Sequence, residues 1–168
     1  MPLQLILRKK GDSSIVLTLS VWFRVLFLAI IGVFLTGMGA SGTDVRDIGV
    51  LPSLFLLVCC LSLLYEETWI FDRKEGTVTR RFGLLVLNRK RIFRISEIGS
   101  FGLTSFVRGA QANPGEKKSF FQREMLRLWF STGEEMTDIE IQSGRRRKRM
   151  EENGRILAEF CSRPFEIQ

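Results

Sequence analysis

Along this chain the spacing of apolar positions changes character three times. Residues 3–20 alternate, with Leu3, Leu5 and Leu7 on one face and Ile15, Leu17 and Leu19 repeating the pattern. Lys10-Gly11-Asp12 between them is turn chemistry, so a short hairpin or a loose N-terminal arm is expected over 1–20. Two unbroken apolar runs follow, Trp22–Met38 and Ile48–Tyr65. Arg24 is the only charge in either run, and each is about long enough to cross a hydrocarbon core as a helix. Pro52 falls in the first turn of the second helix, where its missing N–H does no harm.

After Tyr65 the period returns to two. Strands are expected at Thr68–Asp72, Thr77–Phe82, Arg89–Ile95, Gly99–Val107, Glu124–Ser131 and Met136–Gln142, the last with Ile139 and Ile141 inward. Arg73-Lys74-Glu75-Gly76 and Thr132-Gly133-Glu134 supply tight turns, Gly83 ends the second of these strands, and residues 109–119 form a turn-rich loop. From Arg145 the spacing becomes helical, with Met150, Gly154, Leu157 and Cys161 on one side and Pro164 as the stop. About six strands in short antiparallel hairpins, closed by one amphipathic helix, make a bent sheet or partial barrel of pleckstrin-homology-like architecture. The expected fold is an α+β membrane protein. A two-helix transmembrane hairpin at 21–65 carries a small antiparallel β domain at 66–168.

Charge sets the orientation. The chain has 168 residues, 25 Lys+Arg against 18 Asp+Glu, and a net charge of +7. Arg8, Lys9 and Lys10 precede the first run, Asp44, Arg46 and Asp47 lie between the runs, and 20 of the basic residues follow Tyr65. Basic residues stay on the cytoplasmic side, so both termini are expected there, in a bacterial inner membrane or a thylakoid-type membrane. Gly39-Ala40-Ser41 resembles a signal-peptidase site, but the first run is long for a signal core and a second run follows at once. Gly32, Thr36 and Gly37 allow close helix approach, within the hairpin or in a homo-oligomer.

Catalytic chemistry finds little support. There is no His, which removes the commonest general base and metal ligand. No nucleophile elbow, phosphate loop, zinc spacing or dinucleotide fingerprint occurs, so no enzyme activity, cofactor or metal is expected. Cys59 and Cys60 fall in the second apolar run and Cys161 in the last helix, an arrangement for packing and not a disulfide framework.

The residues that do stand out are basic or aromatic. Arg145-Arg146-Arg147-Lys148-Arg149 opens the last helix, where the helix dipole disfavours positive charge. Anionic lipid or an acidic partner would stabilise such a run, and a solvated anchor against the membrane surface is the simpler alternative. Arg73 and Lys74 in the first tail hairpin, with Arg89, Lys90 and Arg91 on the third tail strand, form a second basic set. Phe120 and Phe121, after Lys117 and Lys118, either insert into an interface or lead into a buried strand. Membrane lipids and another membrane protein are the expected partners, and nucleic acid is not favoured.

Several short stretches resemble a known family. These are Phe71-Asp72-Arg73-Lys74-Glu75-Gly76, Gly83, Asn88-Arg89-Lys90-Arg91-Ile92-Phe93, Ile95-Ser96-Glu97-Ile98, Leu157-Ala158-Glu159-Phe160 and Pro164-Phe165-Glu166-Ile167. With the order of two spans then domain, they resemble the photosystem I assembly protein family. They also resemble the wider set of bacterial two-span proteins with a pleckstrin-homology-like tail. The aromatic stretch of the photosynthetic members is absent from the first span. The resemblance implies a non-enzymatic assembly factor or scaffold. The alternative reading is a sensor of anionic lipid headgroups.

Overall fold

The structure is a computed structural model and describes residues 4–42, 49–84, 87–108 and 123–168. Its β body is built from two sheets. The first has five antiparallel strands in chain order, β1 (Leu5–Lys9), β2 (Ser14–Leu19), β3 (Tyr65–Asp72), β4 (Thr77–Leu84) and β5 (Leu87–Arg94). The second contains β6 (Ile98–Arg108), β7 (Arg123–Thr132), β8 (Glu135–Ser143) and β9 (Phe165–Ile167), in the order β8-β7-β6-β9. Helices α1 (Val21–Ser41) and α2 (Val50–Leu64) lie between β2 and β3 in the chain, and α3 (Arg147–Cys161) lies between β8 and β9.

The N-terminal residues form a hairpin around Gly11, whose φ of 74° suits a residue without Cβ. That hairpin belongs to the tail's own sheet, because β2 pairs with β3 from Ser14↔Asp72 to Thr18↔Thr68. A single residue, Ser20, separates β2 from α1, and α2 runs into β3 without an intervening residue. The helices are therefore an insertion between two adjacent strands. They touch each other through Phe34 and Phe55, ring centroids 6.0 Å apart. Val21–Ala40 is long and apolar enough to cross a membrane, and none of it is buried. The second apolar run is helical only over Val50–Leu64, because Tyr65 already pairs with Leu84 as a strand residue.

The two sheets face each other across an aromatic core. Trp69 and Phe71 of β3 meet Phe130 and Phe101 of the second sheet at centroid distances of 5.9 and 6.3 Å, and Phe93 meets Phe130 at 5.2 Å. Each fully buried side chain of this size contributes roughly 2–3 kcal/mol of transfer free energy. Helix α3 adds Met150, Leu157, Ala158 and Cys161 to the same core. It lies close to the second sheet at Gly154, where an added Cβ would stand 2.4 Å from the Phe165 ring.

Three details depart from the expectations. Gly83 does not end its strand; it stays in β4 opposite Asn88, at φ 136°. Among the described residues the tail has seven strands, because Phe165–Ile167, beyond the expected helix stop, pairs in parallel with β6. In β8 the inward phase changes. Leu128 pairs with Glu140 and Trp129 with Asp138, so Ile139 is an extra, bulged residue. Past the bulge Glu140 and Gln142 turn inward, at 4% and 1% exposure, and Ile141 turns out at 37%.

Candidate functional site

The strand register sorts the basic residues by height. β2 ends where α1 begins and β3 begins where α2 ends, so one end of the first sheet carries both helices. The β1–β2 and β3–β4 turns lie at the opposite end, because Asp72 pairs with Ser14 and Thr77. Seven residue steps from Tyr65 to Asp72 put the β3–β4 turn about 23 Å from the helices.

Arg73 and Lys74 therefore stand at the end far from α1. Arg73 is engaged there. Its Nε donates to the Phe160 carbonyl at 3.0 Å, its Nη2 donates to the same oxygen, and its guanidinium lies 4.7 Å from the Phe160 ring centroid. It fastens the C-terminal turn of α3 to the hairpin. The Lys74 and Glu75 backbone N–H groups donate to Asp72 Oδ1, which sets the turn. Arg89, Lys90 and Arg91 are exposed on β5, an edge strand of the first sheet. Lysine and arginine there keep an open edge from pairing with other chains. Leu87, 74% exposed, begins β5 at the helix-bearing end. Phe120 and Phe121 lie outside the described residues.

The run at 145–149 divides into separate roles. Arg149 Nη2 donates to Glu140 Oε1 at 2.7 Å. The same oxygen accepts from Gln142 Nε2 at 2.9 Å and from the Leu5 backbone N–H at 3.2 Å. One buried carboxylate thus ties the edge strands β8 and β1, from different sheets, to α3. Burial raises the Glu140 pKa above the ordinary carboxyl value, against the opposing pull of Arg149, the Leu5 N–H and Gln142. Arg146 donates to the Gln4 side chain, and the Gln4 carbonyl accepts from the Ser20 N–H, one residue before α1. Arg145, Arg147 and Lys148 remain exposed. The start of α3 accordingly sits beside the start of α1.

The same end of the molecule holds Trp22, 77% exposed on α1, and Tyr65 at the junction of α2 and β3. Residues of these two types favour the boundary between hydrocarbon and water. A cleft of about 510 Å³ is lined by Arg123, Glu124, Ser143, Gly144 and Arg145. Sequence reasoning passed over Arg123 and Glu124, because cross-strand neighbours from distant segments leave no local spacing. Glu140 was missed because its alternation reads as outward until the bulge is known. Among the described residues no cluster of His, Cys, Asp or Glu could hold a metal ion.

The chain matches no protein-family model and no curated protein. Its functional reading rests on the geometry above.

Proposed function

We propose that α1 and α2 cross a bilayer as a hairpin and hold the β body directly on its cytoplasmic surface. There the protein acts as a non-enzymatic scaffold, or assembly factor, for another membrane protein. The insertion of both helices between paired strands carries this reading. Residues on β2 and β3 share one sheet, so they must lie on one side of any membrane, and the segment between them crosses an even number of times. If α1 spans, α2 returns. At 1.5 Å per residue α1 is about 31 Å long and Val50–Leu64 about 22 Å, so the second helix calls for local thinning or for the residues before it.

With one residue between β2 and α1 and none between α2 and β3, the body has no freedom to drift from the surface. Such rigid placement suits the docking of a partner, which loses less entropy on meeting a fixed surface. Trp22, Tyr65, Leu87 and the basic start of α3 would then lie at the headgroups, and the pleckstrin-homology-like body would present the basic β5 edge sideways. A client of the photosystem I assembly type fits this arrangement as one case.

Two readouts on the full chain test the reading. Asp12→Cys and Glu134→Cys, each on a Cys60→Ser background, should react from the same side of sealed vesicles with a membrane-impermeant maleimide. The protein should also resist carbonate extraction. Extraction into the supernatant, or labelling from opposite sides, would overturn the membrane reading. For docking, a photo-crosslinker at Ile92 should capture one membrane protein, and Arg89→Ala/Lys90→Ala/Arg91→Ala should lower that yield. An unaltered yield would remove the β5 edge from the proposal.

A further inference from the structure

The cleft of about 510 Å³ sets two arginines and one carboxylate around a serine and a glycine. It lies between the first residues of β7 and the turn that follows β8. Register places it: Met125 pairs with Ser143, which sets Glu124 beside Gly144. A Cβ at Gly144 would stand 3.1 Å from Glu124 Oε2 and 3.3 Å from its Cβ, so the glycine lets the carboxylate side chain lie along the cleft. Arg146, next to Arg145, reaches Gln4 beside the start of α1. The opening therefore lies on the helix-bearing end.

We infer that this cleft binds the headgroup of one anionic phospholipid whose phosphodiester carries a hydroxylated substituent, of the phosphatidylglycerol class. The inference rests on the membrane reading above. Arg123 and Arg145 have no ion pair among the described residues. Guanidinium groups match phosphate oxygens with paired, charge-assisted hydrogen bonds. Among the described residues that line the cleft, two arginines and Glu124 give a formal charge of +1, which one phosphodiester neutralises. Glu124 can only accept hydrogen bonds when ionised, and a phosphodiester offers none. A headgroup hydroxyl supplies that donor, and the Ser143 hydroxyl can bond to either part. An ethanolamine headgroup would also satisfy Glu124 but, being neutral, would leave the cleft charge uncompensated. Phosphatidic acid brings extra negative charge next to Glu124 and no alcohol.

The test uses the full chain in phosphatidylcholine nanodiscs containing phosphatidylglycerol, phosphatidylethanolamine or phosphatidic acid, with native mass spectrometry of retained lipid. Phosphatidylglycerol should be retained about tenfold over the other two, in line with the loss expected from one charged hydrogen bond. Arg123→Gln/Arg145→Gln should abolish the preference, whereas Arg147→Gln/Lys148→Gln, outside the cleft, should preserve it. Glu124→Ala should bring phosphatidic acid level with phosphatidylglycerol. Equal retention by wild type and Arg123→Gln/Arg145→Gln would overturn the inference, as would equal losses from the Arg123/Arg145 and Arg147/Lys148 variants. Soluble glycerophosphoglycerol binding as tightly as the lipid would also overturn it, by making a free metabolite the ligand. A chain that enters no nanodisc contradicts the membrane reading itself; one that enters but retains lipids without preference contradicts only the cleft.

Discussion

Removing the Glu140 carboxylate should loosen the β body, because three donors from three elements share it. Glu140→Ala leaves the Leu5 N–H, the Gln142 amide and the Arg149 guanidinium without their common acceptor. Leu5 and Gln142 are 2% and 1% exposed, so neither donor reaches water easily. Each neutral donor that loses this acceptor costs about 1–3 kcal/mol. The Arg149 side chain is 29% exposed and can turn toward solvent, so its share is discounted. The sum is about 3–5 kcal/mol, in keeping with the loss of one member of a buried ion pair. For a body of this size that lowers Tm by roughly 10–20 °C. Glu140→Gln keeps the shape and one acceptor oxygen and should cost about 1–2 kcal/mol.

The pH dependence has a definite sign. The folded-state pKa of Glu140 is raised, so above the ordinary carboxyl value the folded form holds a proton that the unfolded form has released. This group's contribution then declines as pH rises from that ordinary value through the raised one. Subtracting the Glu140→Gln curve from the wild-type curve isolates it. Guanidinium unfolding in mild detergent, followed by the fluorescence of buried Trp69 and Trp129, supplies both curves. A Glu140→Ala midpoint within about 1 kcal/mol of wild type, or a difference curve that climbs with pH, would refute the reasoning.

Other changes probe separate contacts. A Cβ on Gly102 would lie 2.2 Å from the Trp129 ring, whose Nε1 donates to Thr104 Oγ1 at 2.8 Å. Gly102→Val should therefore cost about 1–3 kcal/mol and shift the Trp129 emission. Arg73→Ala should lower stability by about 1–2 kcal/mol, measured by the same unfolding assay, and leave lipid retention in nanodiscs unchanged, because Arg73 grips Phe160 at the far end of the sheet. Burial pushes the Cys161 thiol up to about 11, so mass spectrometry should find it unmodified by iodoacetamide at neutral pH in the folded protein and modified after denaturation.

Local pattern was enough for most of the β body. Turn residues with alternating flanks located the β3–β4 and β7–β8 hairpins of the tail, and the i, i+4, i+7, i+11 spacing of Met150, Gly154, Leu157 and Cys161 marked the buried face of α3. What stayed hidden depends on pairing between distant segments. The Ile139 bulge shifts one strand by a residue and exchanges its inner and outer sets, and alternation carries no mark of the shift. The three-residue strand β9 is too short for a period to register. In the basic set the residue types were visible but the heights were not. Arg73 and Arg145 read alike in sequence; the register sends one to the far turn and the other to the helix-bearing end. Arg123 and Glu124 acquire their meaning only opposite Ser143 and Gly144.

Splitting a sheet with two apolar helices also orders its birth on the ribosome. β2 is synthesised early but its partner β3 starts only after α2 is complete, so one edge of β2 waits unpaired. At about 5–20 residues per second that wait lasts several seconds. Vectorial synthesis thus makes completion of the helices a precondition for zipping the first sheet, and a nascent chain stalled before α2 would present β2 as a sticky edge to chaperones.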